Sequence, residues 1–300
     1  MQNVKYNGWK NNIRLSNRDI EVIITQDVGP RILRCGFIGE RNLFAEMPGQ
    51  QGGMGEKQWM LRGGHRLWVA PEDPRKTYEL DNEPVQTTVM IPGGVRLTQR
   101  KGRLTGIQKS MEVTISRDRN ELKIVHLLKN AGRRTAQVSP WALTVMARDG
   151  MAIIPLPAKI PHTQRLTHNQ VWTLWGYTDL TDPRWTLGSR YIFFRQDRTR
   201  GPNKLGMAMQ EGWVAYQLGE FLFVKRFSRK EGAVYPDGNV NFETFSNQHF
   251  LEIETLGPLV TLTPGKSIRH EESWTLYRKI RPCRVEADVD RVILPLLQKG

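Results

Sequence analysis

The segment HFLEIETLGP, residues 249–258, carries two carboxylates two positions apart. In an extended strand, Glu252 and Glu254 face one way while Leu251, Ile253 and Thr255 face the other. Two carboxylates at this spacing lie about 7 Å apart. In a dry, concave site, burial and mutual repulsion would raise the pKa of one of them and create a usable general base. The segment therefore predicts an acid/base site at Glu254, with a solvated or salt-bridged pair as the structural alternative.

The segment YPDGNVNFETFSN, residues 235–247, follows the same alternation. Asp237 and Gly238 predict a turn, after which Asn239, Asn241 and Glu243 share one face of a strand. Amides and carboxylates hydrogen-bond hydroxyl groups, and the nearby aromatic rings can stack on the apolar face of a sugar. The pattern fits a hydroxyl-binding surface, and equally a ribbon with a wet polar face.

The segment RGGHRLWVAPEDPR, residues 62–75, is the third candidate. The glycine pair predicts a close approach of two backbones, and the prolines end the strand before a loop that carries Glu72. Alternation puts His65 on one face and Arg66 on the other. A lone histidine is more often structural than catalytic, but this one neighbours an arginine and two acids. A guanidinium from Arg62 or Arg66 could bind ring hydroxyls or a phosphate.

The elements that must position these residues are strands. A period of two dominates the chain, turn signals recur at short intervals, and Ile107 to Ser116 and Glu121 to Lys129 predict a hairpin. We expect two strands around Pro92-Gly93-Gly94 and a short helical turn at Asp179 to Trp185. A C-terminal helix is predicted over Val285 to Lys299, interrupted or ended at Pro295. So many strands must stack or close, which predicts an all-β, large antiparallel sandwich with a short C-terminal helix and one domain over residues 1–300.

Composition narrows the function classes. The formal net charge of +14 comes from 44 Lys+Arg against 30 Asp+Glu, but the basic residues are scattered, so we expect no nucleic-acid or membrane partner. The sequence has no nucleotide-binding, nucleophile-elbow or zinc motif, which predicts no cofactor and no metal. Two cysteines make no disulfide framework, although Cys35 and Cys283 could pair in an oxidising compartment. With no apolar leader or spanning segment, we expect a cytoplasmic protein, monomer or homodimer; a leader removed from the N-terminus stays an alternative.

From Ile20 to Tyr277, the order of motifs resembles the galactose mutarotase-like superfamily of β-supersandwich proteins. IEVIITQDVGPRILRCGFIGERNLF is similar to the opening of an aldose epimerase, and RGGHRLWVAPE to a strand that leads into the site of sugar-phosphate epimerases. HFLEIETLGPLVTLTPGKSIRHEESWTLY is similar to the closing segment that supplies the catalytic base. The GGHRLW and LEIETLGP style is similar to a bacterial branch of this superfamily. The resemblance implies a supersandwich fold, a carbohydrate ligand, and Glu254 as the base.

This sequence differs from the family at the position of the general acid. Active aldose epimerases place a histidine on a strand in the middle of the chain, whereas the matching stretch QVSPWALTVMARDG has Trp141 and no histidine. We therefore expect either that His65 supplies the acid from another strand, or that the protein is a non-catalytic carbohydrate-binding domain on the same fold. In the catalytic interpretation, Glu252 raises the proton affinity of Glu254. The side chains expected to hold the free or phosphorylated sugar are Arg62, Arg66, Glu72, Trp141, Asp237, Asn241, Glu243 and Glu252.

Overall fold

The structure is a computed structural model that describes residues 1–90 and 93–298. Its strands, in chain order, are β1 Gln2–Tyr6, β2 Trp9–Ser16, β3 Ile20–Thr25, β4 Arg31–Phe37, β5 Gly64–Ala70, β6 Gln86–Met90, β7 Gly94–Thr98, β8 Ile107–Ile115, β9 Glu121–Asn130, β10 Ala136–Met146, β11 Met151–Pro155, β12 Trp172–Leu174, β13 Trp185–Leu187, β14 Tyr191–Arg195, β15 Asn203–Met207, β16 Trp213–Leu218, β17 Phe221–Phe227, β18 Phe242–Ser246, β19 Leu251–Leu256, β20 Val260–Leu262 and β21 Ser267–Tyr277. The predicted hairpin is formed by β8 and β9, whereas Asn239 and Asn241, predicted to share a strand with Glu243, precede the first residue of β18. Pro92, on which one predicted turn was centred, lies outside the described residues.

The strands form two large antiparallel sheets. The first has eleven strands in the order β1-β2-β3-β4-β5-β10-β19-β18-β15-β12, with β20 also pairing with β10. The second has ten strands in the order β13-β14-β11-β16-β17-β21-β9-β8-β7-β6. The predicted all-β antiparallel sandwich is confirmed.

The main core lies between the two sheets. Alternation along each strand turns one set of apolar side chains inward, so that the sheets bury each other's inner faces. At its centre, the ring of Trp274 meets Phe44 edge-on at 5.6 Å and Phe223 at 5.4 Å between ring centroids. The side chains on the outer face of each sheet do not belong to this core.

The C-terminal segment covers the outer face of the ten-stranded sheet. Two short helices, Glu286–Val292 and Leu294–Gln298, bury Val289 and Ile293 against that sheet. The predicted helix is thus interrupted before Pro295, which falls in the first turn of the second helix, where the missing N–H of proline is tolerated. Lys299, its predicted last residue, lies outside the described part of the chain. No helix among the described residues is long and apolar enough to cross a membrane.

Two smaller expectations have different outcomes. The predicted helical turn at Asp179 to Trp185 forms two successive turns, closed by the amides of Asp182 and Trp185, and no helix. Cys35 and Cys283 are free and buried in different core clusters, one between the sheets and one under the C-terminal helices, so they form no disulfide in this structure.

The glycine pair of the RGGH segment begins β5 at a close backbone crossing. Gly63 and Gly64 have φ of +89° and +71°. A Cβ atom at Gly63 would lie 2.0 Å from the carbonyl oxygen of Ala45, and one at Gly64 would lie 2.2 Å from that of Ile32. Both positions therefore require glycine, and the close approach that the sequence predicted is what anchors β5 in the sheet.

Candidate functional site

A row of side chains crosses four strands on the outer face of the eleven-stranded sheet. Glu254 of β19 lies directly opposite Glu243 of β18 on one side and Leu143 of β10 on the other. Leu143 in turn lies opposite Arg66 of β5. Residues directly opposite each other in a sheet project from the same face. The strand register therefore places the carboxylates of Glu243 and Glu254, from two neighbouring strands, side by side on this face.

The carboxylate of Glu254 is held by an indole and an ammonium. The Nε1 of Trp141 donates a hydrogen bond of 2.9 Å to Oε2 of Glu254. The Nζ of Lys204, from β15, lies 3.5 Å from the same oxygen and 2.6 Å from Oε2 of Glu243. We call Glu243, Glu254, Lys204 and Trp141 the carboxylate–lysine cluster. The sequence did not predict Lys204 as a site residue, because a lysine in a strand usually lies on the protein surface.

Two indole rings enclose the ammonium of Lys204. Its Nζ lies 4.8 Å from the ring centroid of Trp141 and 4.5 Å from that of Trp175, within cation–π range. Burial alone would lower the pKa of Lys204, but the charges of Glu254 and Glu243 outweigh burial and raise it. Lys204 is therefore protonated.

Two carboxyl groups share the ammonium of Lys204, so if both were ionised, one negative charge would have no cation to offset it among the described residues of the cluster. Glu243 exposes 0% of its surface, and neither of its carboxylate oxygens has a hydrogen-bond partner of good geometry among the described residues. Burial raises the pKa of Glu243 well above its usual value, and the charge of Glu254 adds to this, although Lys204 opposes it. The cluster thus places a carboxyl whose pKa is raised beside one that accepts an indole N–H hydrogen bond, an arrangement typical of acid/base pairs.

A second ion pair extends the row. The Nη2 of Arg66 donates a hydrogen bond of 3.0 Å to Oε1 of Glu252, and the guanidinium lies 4.4 Å from the ring centroid of Trp68 and 5.4 Å from that of Trp59. Burial raises the pKa of Glu252 to about 7, with Arg66 opposing the shift and Glu254 adding to it. The pKa is thus raised at both Glu243 and Glu252. Nε and Nη1 of Arg66 and Nε1 of Trp59 have no partner among the described residues, so three buried donors remain for a ligand.

Aromatic side chains line the rim. Tyr78 donates a hydrogen bond of 2.6 Å to Glu72, the loop carboxylate predicted to lie near the site, and its ring packs on Trp59 and Trp68. Tyr177 is half-exposed on the other side, and burial raises its pKa to about 12. These rings supply flat apolar faces of the kind that stack on sugars.

Asp237 lies near the cluster, whereas the side chain of Asn241 is hydrogen-bonded to the backbone of Met209. Asp237 sits in the turn Pro236–Asn239, and its charge contributes to the raised pKa of Glu243. Oδ1 of Asn241 accepts a 2.7 Å hydrogen bond from the backbone N–H of Met209, and its Nδ2 donates a 3.1 Å bond to the carbonyl of Met209. The predicted sugar-binding role of Asn241 therefore conflicts with a structural one, because this amide already caps a neighbouring strand.

The guanidinium of Arg62 is also held by contacts within the protein. Its guanidinium pairs with Glu56 at 2.5 Å, bonds the side chain of Asn82 at 3.0 Å and lies over the ring of Trp9. It exposes 1% of its surface. The structure thus separates the two arginines that the sequence treated as alternatives, and Arg66 is the one that lies beside the carboxylates.

His65 lies on the opposite face of the sheet from Glu254. It points between the sheets, with Nδ1 at 2.8 Å from Oγ1 of Thr144 and Nε2 at 2.7 Å from Nε2 of His126. It exposes 0% of its surface. The expected pairing of His65 as acid with Glu254 as base is therefore not formed, because a strand sends neighbouring residues to opposite faces and Arg66 occupies the outer one.

His65 belongs to a buried polar network that fills part of the main core. Lys225 of β17 pairs with Glu272 of β21 at 3.0 Å and donates a 2.7 Å hydrogen bond to Thr144. Trp274 Nε1 donates to Glu272 at 2.8 Å, and Thr255 bonds both Glu272 and His270. We call Thr144, Lys225, Glu272, Thr255 and the three histidines 65, 126 and 270 the interior network.

The interior network contains the kinds of ligand that bind metals, but its geometry fits hydrogen bonds better. Ligand atoms of His65, His126 and Glu272 lie within 4.8 Å of one another. Two nitrogens bound to one tetrahedral zinc would lie about 3.3 Å apart at the usual Zn–N length, whereas Nε2 of His65 and Nε2 of His126 are 2.7 Å apart. The ammonium of Lys225 already neutralises Glu272. A divalent ion would add charge that the described residues do not offset.

We expect the histidines of the interior network to stay neutral in mildly acidic solution. Burial lowers the pKa of His126 to about 4 and that of His270 to about 3, because the core disfavours the charged imidazolium. At pH 5, about 90% of a group with the pKa of His126 is neutral. In the folded protein, the ring Cε1 signals of these three histidines, followed by NMR from pH 8 to 5, should move by no more than about a tenth of their full titration shift. The same rings in urea-denatured protein serve as the control, and a midpoint near 6.5 in the folded protein would contradict the assignment.

The carboxylate–lysine cluster is almost closed to solvent. Glu254 exposes 1% and Lys204 4% of their surfaces, because Trp141, Trp175 and the neighbouring rings lie over them. Trp175 and Tyr177 belong to a turn that closes with a 2.9 Å bond from the amide of Thr178 to the carbonyl of Trp175.

No protein-family model and no curated protein sequence matches this chain significantly. Solved structures do match its fold. A galactose mutarotase-like protein from Lactobacillus casei superposes with a TM-score of 0.60 at 11% identity, covering 89% of this chain and 100% of its own. A galactose mutarotase related enzyme from Lactobacillus acidophilus gives a TM-score of 0.59 at 10% identity, with 91% and 100% covered. The Slr1438 protein from Synechocystis gives 0.62 at 10%, with 93% and 100% covered. Identities this low establish a shared fold and leave activity to be argued from the site.

Proposed function

We propose that this chain, which has the galactose mutarotase-like fold, binds an aldose at the carboxylate–lysine cluster and accelerates the interconversion of its two anomers. The observation that carries the proposal is the opposition of Glu254 and Glu243 across β19 and β18. One of them is hydrogen-bonded as a carboxylate by Trp141, and the other is buried with its pKa raised. Anomer exchange needs one base and one acid, and this pair supplies both.

The proposed reaction moves two protons. The carboxylate of Glu254 removes the proton of the anomeric hydroxyl while the carboxyl of Glu243 gives its proton to the ring oxygen. The bond between the anomeric carbon and the ring oxygen breaks, and an open-chain aldehyde forms. The aldehyde rotates, and the two proton transfers then run in reverse on the other face of the carbonyl.

The neighbouring residues hold the sugar in this scheme. The free N–H groups of Arg66 and Trp59 donate to ring hydroxyls, and Glu72 and Asp237 accept from hydroxyls at the rim. Lys204 holds the two carboxyl groups in place and offsets negative charge during the reaction. Glu243 thereby takes the acid role that the sequence had given to His65.

A non-catalytic carbohydrate-binding protein is the second candidate, and the closure of the cluster favours it. Glu254 and Glu243 expose 1% and 0% of their surfaces, as in a structural ion-pair network. In that case the rim formed by Trp59, Trp68 and Tyr78 would bind a sugar without touching either carboxylate.

Exchange spectroscopy separates the two candidates. Saturation-transfer NMR of α and β anomers measures interconversion directly and should cover neutral aldoses, their 6-phosphates and uronic acids. We expect at least one of these sugars to exchange faster with the protein than in buffer. Binding of sugars with no acceleration of any of them would support the second candidate and contradict the first.

Trp141→Phe should slow the exchange by about 10- to 100-fold. The substitution keeps the aromatic wall and removes the N–H that donates to Glu254 at 2.9 Å, and a hydrogen bond to a charged group contributes about 1.5–3 kcal/mol. The rate constant under saturating sugar is the quantity to measure. Trp213→Phe, in the core under the C-terminal helices, is the matched control. An unchanged rate in Trp141→Phe would show that this indole does not act on the base.

A further inference from the structure

A cleft of about 560 Å³ opens beside the candidate site. It is lined by the loop after β5 and the turn between β7 and β8, with Tyr78 on the side nearer the site. The ring of Tyr78 packs on Trp59 and Trp68, which are part of the rim described above. One wall is therefore shared, and a molecule longer than one sugar ring could occupy both places.

The cleft carries an excess of positive charge. Its cationic lining residues are Lys57, Arg75, Arg100, Lys101 and Arg103. Arg100 pairs with Glu83 at 3.4 Å, whereas within the described residues the other four side chains have no carboxylate within 4.0 Å. The two remaining acids of the lining are already used, since Glu56 pairs with Arg62 and Glu79 accepts from the backbone N–H of Leu104 at 2.6 Å. Four unpaired cations around one concave surface attract an anion.

The rest of the lining has the chemistry of a sugar site. Gln99 is buried to 91%, and its Oε1 has no hydrogen-bond partner among the described residues. This oxygen can therefore accept a hydrogen bond from a ligand hydroxyl. The exposed side chains of Leu80 and Leu104 supply apolar surface in the same cleft. A ligand that fits this lining is anionic, donates hydrogen bonds from hydroxyl groups and is partly apolar. An acidic sugar unit has these three properties.

We propose that this cleft binds an acidic sugar unit, bearing a carboxylate or a sulfate, of an oligosaccharide whose neighbouring unit lies at the carboxylate–lysine cluster. The placement of that neighbouring unit rests on the proposed function, whereas the binding of the acidic unit does not. The scattered positive charge of the sequence thus acquires one local role, which the linear distribution of Lys and Arg had argued against.

Calorimetric titration of the full chain tests this assignment. The probes are tetrasaccharides of polygalacturonate, which carry carboxylates, sulfated heparin-derived tetrasaccharides, and neutral maltotetraose. We expect one acidic probe to bind at least about 10-fold more tightly than maltotetraose, and to weaken as salt rises. The two acidic probes distinguish carboxylate from sulfate recognition. Equal affinity for maltotetraose and both acidic probes would overturn the proposal.

The triple substitution Arg75→Gln, Lys101→Gln and Arg103→Gln should weaken the acidic probe by about 30-fold or more, because it removes three charge-assisted contacts. Arg133→Gln, Arg134→Gln and Lys279→Gln is the matched control, since it removes the same charge from exposed positions outside the cleft. An equal loss in both triple variants would show a general charge effect and overturn the assignment. A single-stranded DNA oligomer of equal charge that binds as tightly as the acidic sugar would also overturn it.

Measuring anomer exchange of monosaccharides and binding of the acidic tetrasaccharide separately on the unsubstituted chain distinguishes this test from that of the proposed function. Exchange without acidic binding would refute the cleft alone, and acidic binding without exchange in the unsubstituted chain would refute the proposed function alone.

Discussion

Glu254→Gln should abolish the acceleration of anomer exchange, with a loss of about 10²- to 10⁴-fold, the range that a positioned general base contributes. The amide has nearly the shape of the carboxylate and can still accept the hydrogen bond from Nε1 of Trp141, which spans 2.9 Å. It cannot take the proton of the anomeric hydroxyl. The substitution also removes a charge that adds to the effect of burial in raising the pKa of Glu243.

The exchange rate from saturation-transfer NMR is the measurement. Glu271→Gln is the matched control, because that carboxylate is half-exposed on β21 and pairs only with surface cations. An accelerated exchange in Glu254→Gln equal to that of the unsubstituted chain would reject Glu254 as the base. A circular dichroism spectrum and an unfolding curve for each variant show whether a loss of rate comes from a loss of fold.

Lys225→Met should lower the free energy of unfolding by about 3–5 kcal/mol, the usual cost of breaking a buried ion pair. Both partners of the Lys225–Glu272 pair expose 0% of their side chains, so the substitution leaves an unpaired carboxylate in the core. In the native chain, the pKa of Glu272 is lowered although burial opposes this, and the largest lowering contribution is the charge of Lys225. The variant also takes a donor from Thr144 and from the carbonyl of Ile253, next to Glu254.

Urea unfolding at pH 7 measures this effect. Lys123→Met breaks the Lys123–Glu271 pair, whose carboxylate neighbours Glu272 on β21 and whose side chains are 59% and 47% exposed. That control should cost less than about 1 kcal/mol, because water screens surface pairs. Equal losses in the two variants would mean that the interior network does not stabilise the fold.

Much of the fold could be predicted from the sequence because it depends on local pattern. Alternation along β19 placed Glu252 and Glu254 on one face, and alternation along β5 separated His65 from Arg66. The glycine pair before β5 signalled a backbone crossing that leaves no room for a Cβ. The single domain over residues 1–300 stays a prediction.

The candidate site was harder to predict, since its contacts join distant segments. Trp141 and Glu254 are 113 positions apart, and Lys204 reaches Glu254 from 50 positions away. Nothing near Lys204 in the sequence marks it as buried between two indole rings. Its role follows from the order of β15, β18, β19 and β10 in one sheet.

The sequence by itself determined which residues share a face, because the side-chain period of a strand is two. It could not determine which face is turned to the core. The tertiary structure made that choice for β5, where His65 joined the interior network and Arg66 the outer face beside Glu252. The physical reason is the packing of the second sheet against the eleven-stranded sheet. Strands β9, β17 and β21 place His126, Lys225 and Glu272 next to the inward-facing side chains, and only this packing makes one face of the eleven-stranded sheet the buried one.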